Sequence, residues 1–157
     1  FNCLVETLAA AGYEQYEISN FALRGRYSRH NTAYWQQKHY LGIGPSAHSF
    51  FGTVREWNVA NNLKYIAALQ ADTLAIEQET LDDVTRFNEY LLVSLRTMWG
   101  CDMAYIDRHF ASFKPQLLSQ LQPLIEQGLV CYNQDSVTLT KAGIFVADKI
   151  TADLFVV

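Results

Sequence analysis

Apolar positions in the first seventy residues switch between helical and strand spacing. Leu4, Val5, Leu8 and Ala9 recur at helical intervals, and Gly12 follows as a C-terminal stop. Residues 13–18, Tyr-Glu-Gln-Tyr-Glu-Ile, alternate with β-forming side chains and predict a strand. Residues 20–27 read as a turn-rich loop around Gly25, and residues 32–38 as either a short helix or irregular chain. Residues 40–51 predict a short strand running into the turn Gly42-Ile43-Gly44-Pro45-Ser46. A further strand is expected over residues 53–57 and a helix over residues 59–69. Such alternation is the grammar of α/β architecture. Ligand sites in open α/β sheets and barrels are built by the loops after strand C-termini, so the loop after Ile18 is where a ligand is expected.

The second half has a different rhythm. Residues 71–79 read as a linker, which divides the chain into regions 1–70 and 80–157. Thr80 is the expected N-cap of a helix, with Asp82 and Asp83 favouring its N-terminus. Leu81, Val84, Phe87, Leu91, Leu95 and Met98 mark one face, and Gly100 ends it. Asp102 is placed to cap a short helix through Phe110. Residues 113–127 predict another, interrupted or kinked at Pro115 and Pro123 and stopped by Gly128. Two β-rich runs flank Asn133-Gln134-Asp135 and predict a hairpin, after which Thr140 caps a last helix to about Leu154. Helices, hairpin and closing helix make a winged-helix-like layout. The class expected for the whole chain is α+β.

Charge sharpens this picture. The net charge is −4, and residues 79–157, with six basic against ten acidic side chains, supply all of it. That acidity argues against nucleic acid, whose affinity comes mostly from lysine and arginine neutralising phosphates. Between Glu17 and Glu56 there is no acid, while Arg24, Arg26, Arg29, Lys38 and Arg55 all fall inside, with His30, His39 and His48. A local cationic island in an acidic protein suits a bound anion. No apolar run approaches the roughly 18 residues of a membrane span. The chain begins without Met inside an apolar pattern, with no basic leader, and reads as a piece of something longer rather than as a signal peptide. Cys3, Cys101 and Cys131 are too far apart for a metal motif, and their odd number suits a reducing, cytoplasmic setting.

The candidate chemistry lies in the island. Arg29-His30-Asn31-Thr32-Ala33-Tyr34-Trp35 packs a cation, an imidazole, an amide and two large aromatics into seven residues. Flat apolar walls beside fixed cations suit a planar ligand carrying carboxylates or phosphates. Arginine's planar fork matches a carboxylate, and neutral imidazole is a usual axial ligand of haem iron. Each residue also has a plain reading: His39 as a surface histidine, His48 as a packed one, Tyr34 and Trp35 as core, and Arg24 and Arg26 as solvated charges. The joint occurrence of Arg29, Asn31 and the paired aromatics lifts His30 above the other histidines.

Three segments carry a resemblance. They are Tyr16-Glu17-Ile18-Ser19-Asn20-Phe21-Ala22, then Ser28-Arg29-His30-Asn31-x-x-Tyr34-Trp35, then Tyr40-Leu41-Gly42-Ile43-Gly44-Pro45-Ser46-Ala47-His48-Ser49. In order and spacing they resemble the HemW family of haem chaperones, itself similar to the oxygen-independent coproporphyrinogen III oxidase HemN. The resemblance implies a parent built on a radical S-adenosylmethionine barrel, whose C-x-x-x-C-x-x-C motif holds a 4Fe–4S cluster. That motif is not in this chain, which would correspond to about the last two-fifths of such a protein and would be inert by itself. It further implies that residues 13–19 form the last strand of a partial barrel, followed by its helix. Gly42, Gly44, Ala47 and His48 would then lie on the cofactor side of the barrel mouth. By resemblance His30 is the haem ligand, with Arg29, Asn31, Tyr34 and Trp35 around the tetrapyrrole. The oxidases carry Gly-Met-Asp-His-Phe-Ala where this chain has residues 18–22, and lack the His-Asn-x-x-Tyr-Trp signature. The chaperone reading is therefore favoured over porphyrinogen decarboxylation. Residues 80–157 would be a module for a partner such as a haem acceptor.

Overall fold

The computed structural model describes residues 1–157. Helix α1 (Asn2–Ala10) ends at a left-handed Gly12, φ 84°, which turns the chain into β1 (Tyr13–Glu17). The loop expected after β1 instead begins as a second strand, β2 (Asn20–Leu23), antiparallel to the first with Tyr13 opposite Leu23 and Gln15 opposite Phe21. Helix α2 (Arg29–Trp35) follows. It starts three residues earlier than the spacing predicted because Ser28 caps it, its hydroxyl accepting from the Asn31 amide at 3.3 Å.

After α2 come β3 (His48–Phe50), β4 (Val54–Asn58), α3 (Asn62–Gln70) and β5 (Ile76–Thr80). The strand expected from residue 40 reduces to one bridge, Tyr40 to Phe50, and the chain runs irregularly through the glycine turn to β3. Helix α3 starts at Asn62, where the Asn61 side chain accepts from the Lys64 amide at 3.0 Å. The expected linker is the largest difference. Four of its residues, with Thr80 after them, pair along β4, from Val54 opposite Thr80 to Asn58 opposite Ile76, giving a three-stranded antiparallel sheet ordered β3-β4-β5.

Helix α4 (Asp83–Ser94) then begins, capped by Asp82 rather than Thr80: Oδ1 accepts from the Thr85 amide at 2.7 Å. After it come β6 (Cys101–Asp102), α5 (Met103–His109), α6 (Lys114–Glu126), β7 (Val130–Tyr132), β8 (Ser136–Leu139), α7 (Lys141–Ile144) and α8 (Ala147–Asp153). Pro115 lies in the first turn of α6, where the N–H donor it lacks would have no helical partner. Pro123 stays inside α6 without interrupting it. The last helix is divided in two, because Val146 leaves helical angles (φ −122°, ψ 25°) and starts α8 as its N-cap.

The chain divides into two compact units, residues 1–36 with 87–157, and residues 37–86. In the first, Phe87, Leu91, Leu95, Ile106, Phe110, Leu117, Leu121, Val137, Ile150 and Leu154 form one apolar core. Strand β6 pairs with β8 and β8 with β7, so the sheet order is β6-β8-β7. Strand β1 is tied into the same unit along its other edge. The Ile18 amide donates to the Arg96 carbonyl at 3.0 Å, and the Met98 amide to that of Tyr16 at 3.1 Å. The second unit is the β3-β4-β5 sheet with α3.

Candidate functional site

Five of the residues singled out in the sequence lie on α2, and the two turns of this helix divide them by face. Residues four apart share a face of a helix. Asn31 and Trp35 form one such pair, and both are half-buried. The Asn31 side chain donates to Asn20 Oδ1 at 3.3 Å, and the Trp35 ring lies 5.7 Å from the guanidinium carbon of Arg96. His30 and Tyr34 form the adjacent pair; both are exposed, as is Arg29 before them. Tyr34 meets Trp35 edge-on at 5.3 Å. So α2 has a face held by protein and a face carrying imidazole, phenol and guanidinium outward. Thr32 Oγ1 and Trp35 Nε1 are buried without a hydrogen-bond partner, at a cost of about 1–3 kcal/mol each.

Both contacts of the held face lead to a carboxylate that the sequence did not single out, Glu17. Glu17 ends β1 and is 2% exposed. Its Oε2 accepts from the Ser19 amide and hydroxyl, each at 2.9 Å, and from the Asn20 side-chain amide. Its Oε1 accepts from Nε and Nη2 of Arg96, each at 3.1 Å. Burial alone would raise this carboxyl. The Ser19 and Asn20 donors, with the charge of Arg96, outweigh burial and hold it below the ordinary carboxylate value. Arg96 also reaches Asp148 at 3.4 Å. Glu17 stood in the first motif, but nothing in the sequence set it apart from Glu14 in the same strand. Arg96 had no signal, because it lies 79 residues away.

Beside this pair is a cleft of about 190 Å³ lined by Gln15, Ile18, Leu95, Met98 and Leu139. It is too small for a tetrapyrrole, since pockets for drug-sized ligands run about 300–1,000 Å³. The hairpin before α2 carries aromatic packing of its own, Tyr16 against Tyr27 at 5.1 Å and Tyr27 against Trp99 at 5.6 Å. The Tyr27 hydroxyl donates to Glu14, and that bond raises the phenol above its usual value.

The remaining candidates, Gly42, Gly44, Ala47 and His48, belong to the other compact unit. There the glycine turn is strapped from within. Asn58 Nδ2 donates to the carbonyls of Gly42 at 3.2 Å and Gly44 at 2.9 Å. The Gly42 amide donates to Ser49 Oγ at 3.0 Å, and the Gly44 amide to the Tyr65 hydroxyl at 3.2 Å. Gly44 has φ 109°, a conformation L side chains rarely adopt. Ala47 is half-buried, its carbonyl accepting from the Asn58 amide at 3.0 Å. His48 is exposed on β3, its ring 5.9 Å from Trp57.

Folding also discharges part of the cationic island. Glu14 comes within 3.7 Å of Arg24, and Glu79 within 2.9 Å of Arg55. Both acids lie outside the acid-free window, so the window overstated the local positive charge. Arg26 and Arg29 remain exposed. The three cysteines are unpaired, and no group of three or more His, Cys, Asp or Glu converges on a metal site. Ligands for an iron–sulfur cluster are thus not supplied by these residues. No helix is long and apolar enough to cross a membrane.

No family model matches the chain. It is similar to "Heme chaperone HemW" of Lactococcus lactis, 28% identical over 151 residues, covering 96% of this chain and 40% of that protein. The HemW of Mycobacterium tuberculosis is 30% identical over 148 residues, covering 94% and 36%. "Radical S-adenosyl methionine domain-containing protein 1, mitochondrial" of Bos taurus is 31% identical, again covering 94% and 36%. Among solved structures, the radical SAM enzyme coproporphyrinogen III oxidase HemN of Escherichia coli matches with a TM-score of 0.69. That match covers 98% of this chain and 39% of HemN at 19% identity, and speaks for the mixed α/β fold alone. The chain spans about two-fifths of the length of these proteins. It belongs to the family of the HemW haem chaperones and their radical S-adenosylmethionine relatives, matching a part of each.

Proposed function

We infer that this chain is the haem-presenting part of a HemW-like haem chaperone, with haem as the cargo. The observation that carries the reading is the division of α2 into a held face, Asn31 and Trp35, and an outward face, His30 and Tyr34. In this reading neutral His30 is the axial ligand of haem iron, a role imidazole fills well. Arg29 pairs with a propionate through its planar fork, and Tyr34 packs against the macrocycle. Trp35 anchors the helix from behind instead of walling the ligand. The glycine turn, with Gly42, Gly44, Ala47 and His48, faces the S-adenosylmethionine side of the parent barrel, of which β1 is the last strand. The 4Fe–4S cluster would be held by residues upstream.

Titration of the full-length protein with hemin tests this. A Soret shift is expected, weakened about tenfold or more in half-saturation by His30→Ala. An unchanged spectrum and affinity in that variant would remove His30 from the role. The likeness to HemN concerns fold, and no residue of the site favours porphyrinogen decarboxylation over haem binding.

For the second half of the chain, the order α4, β6, α5, α6, β7, β8 with sheet order β6-β8-β7 supports a winged-helix-like module. Its acidic charge suits a protein partner, and a haem acceptor is the partner this reading names. A pull-down with the full-length protein that recovers the same acceptor when residues 80–157 are removed would sink that assignment.

A further inference from the structure

Helix α2 is seven residues long and has no buried residue. Isolated helices shorter than about 12–15 residues are marginal in water, so the order of α2 must come from outside it. Beyond the Ser28 cap, two contacts run from its held face, Asn31 to Asn20 and Trp35 to Arg96. Both lead to the same group. Asn20 donates to Glu17 Oε2 and Arg96 to Glu17 Oε1. One buried carboxylate thus gathers the arms from Asn31 and Trp35, and the second of them comes through a segment 79 residues further on.

We propose that Glu17 and Arg96 are positioning residues for α2, so that the segment after α4 sets the orientation of the helix that carries His30. Arg96 suits the task because its guanidinium does two things at once: Nε and Nη2 both reach Glu17 Oε1 while its carbon lies over the indole, 5.7 Å from the ring centroid. Lysine offers a charge but neither the fork nor the flat cation. The backbone holds Arg96 in place as well, since its carbonyl accepts from the Ile18 amide on the outer edge of β1. The contact with Asp148 lies at the solvent edge, that carboxylate being 91% exposed, and contributes little. What α2 presents rests on the haem reading; how α2 is held does not.

The test is hydrogen exchange on the full-length protein, with hemin affinity measured in parallel. Arg96→Gln and Arg96→Lys should each speed exchange of the amides at residues 31–36 about tenfold or more. Core amides of α4 and α6 should stay protected, and Asp148→Asn should leave α2 unchanged. Hemin half-saturation should rise in the same order. Trp35→Leu, which leaves the Glu17–Arg96 pair intact, should loosen α2 as well, and it replaces the Arg96 variants if they do not fold. Unchanged α2 exchange in folded variants overturns the proposal, whatever hemin does. Faster α2 exchange with hemin affinity unmoved, in His30→Ala too, sustains the positioning role and removes the haem reading.

Discussion

Gly42 passes so close to His48 that a Cβ on Gly42 would sit 2.2 Å from the His48 carbonyl oxygen. The obstacle is backbone, which cannot swing aside as a side chain would. Gly42→Ala should therefore destabilise residues 37–86 by about 3 kcal/mol, the upper part of the range for overpacking. Gly25→Ala is the control: its Cβ meets nothing within 4 Å, and only its φ of 73° is strained, a cost of about 1–2 kcal/mol. Urea midpoints of the two variants decide it, and equal midpoints would mean the turn yields.

The same turn shows where sequence pattern stops. Gly42 and Gly44 were legible as a turn, but nothing near them announces Asn58, which straps both carbonyls. Strand β5 was missed for a related reason. Residues 76–80 are exposed throughout and lack strand alternation, so only the ladder to β4 makes them a strand. Helix α1, strand β1 and the β7–β8 hairpin were legible from spacing, propensity and turn residues, although α1 has no buried residue and β1 buries the adjacent Tyr16 and Glu17. On α2 the cluster of residue types was legible and its orientation was not. Trp35 looked like a ligand wall until Arg96, remote in sequence, was found on its ring.

Acid should weaken the fold through Glu17. Its folded pKa lies below the ordinary carboxylate value, so the unfolded chain takes up the proton more readily. The stability this supplies is fully present above the ordinary glutamate pKa, about 4.3, and is lost as pH falls through the lower folded value. Thermal melts from pH 7 to 3 should show a falling midpoint in the wild type and a flatter profile in Glu17→Gln. At pH 7 that variant should be less stable by about 1–3 kcal/mol, since it leaves the partly buried Arg96 guanidinium facing a neutral amide. Parallel profiles for the two proteins would assign the acid sensitivity elsewhere.

Asp102 was expected to cap a helix, and Oδ1 accepts from the amides of Ala104 at 2.8 Å and Tyr105 at 3.2 Å. Asp102→Ala leaves both amides of α5 to solvent and should cost about 1 kcal/mol. Asp102→Asn keeps an acceptor oxygen and should recover most of it. Denaturant midpoints check both, and an Ala variant as stable as Asn would show the cap to be dispensable.

Helices followed by a β-hairpin are a common frame for gripping DNA, and here the surface chemistry opposes it. On α6 the exposed side chains are Pro115, Gln116, Ser119, Gln122, Pro123 and Glu126, none of them cationic. Its one cation, Lys114, is already paired with Asp107 at 2.6 Å. The hairpin tip is Asn133-Gln134-Asp135, which adds an acid where a phosphate would lie. Affinity for duplex DNA comes chiefly from cations that displace counterions, and falls steeply with salt. With no cation at either place, residues 80–157 should bind a fluorescent 20-base-pair duplex no tighter than about 100 μM near 50 mM salt, with almost no salt dependence. Micromolar binding that weakens steeply as salt rises would restore a nucleic-acid role and displace a protein partner as the reason for this module.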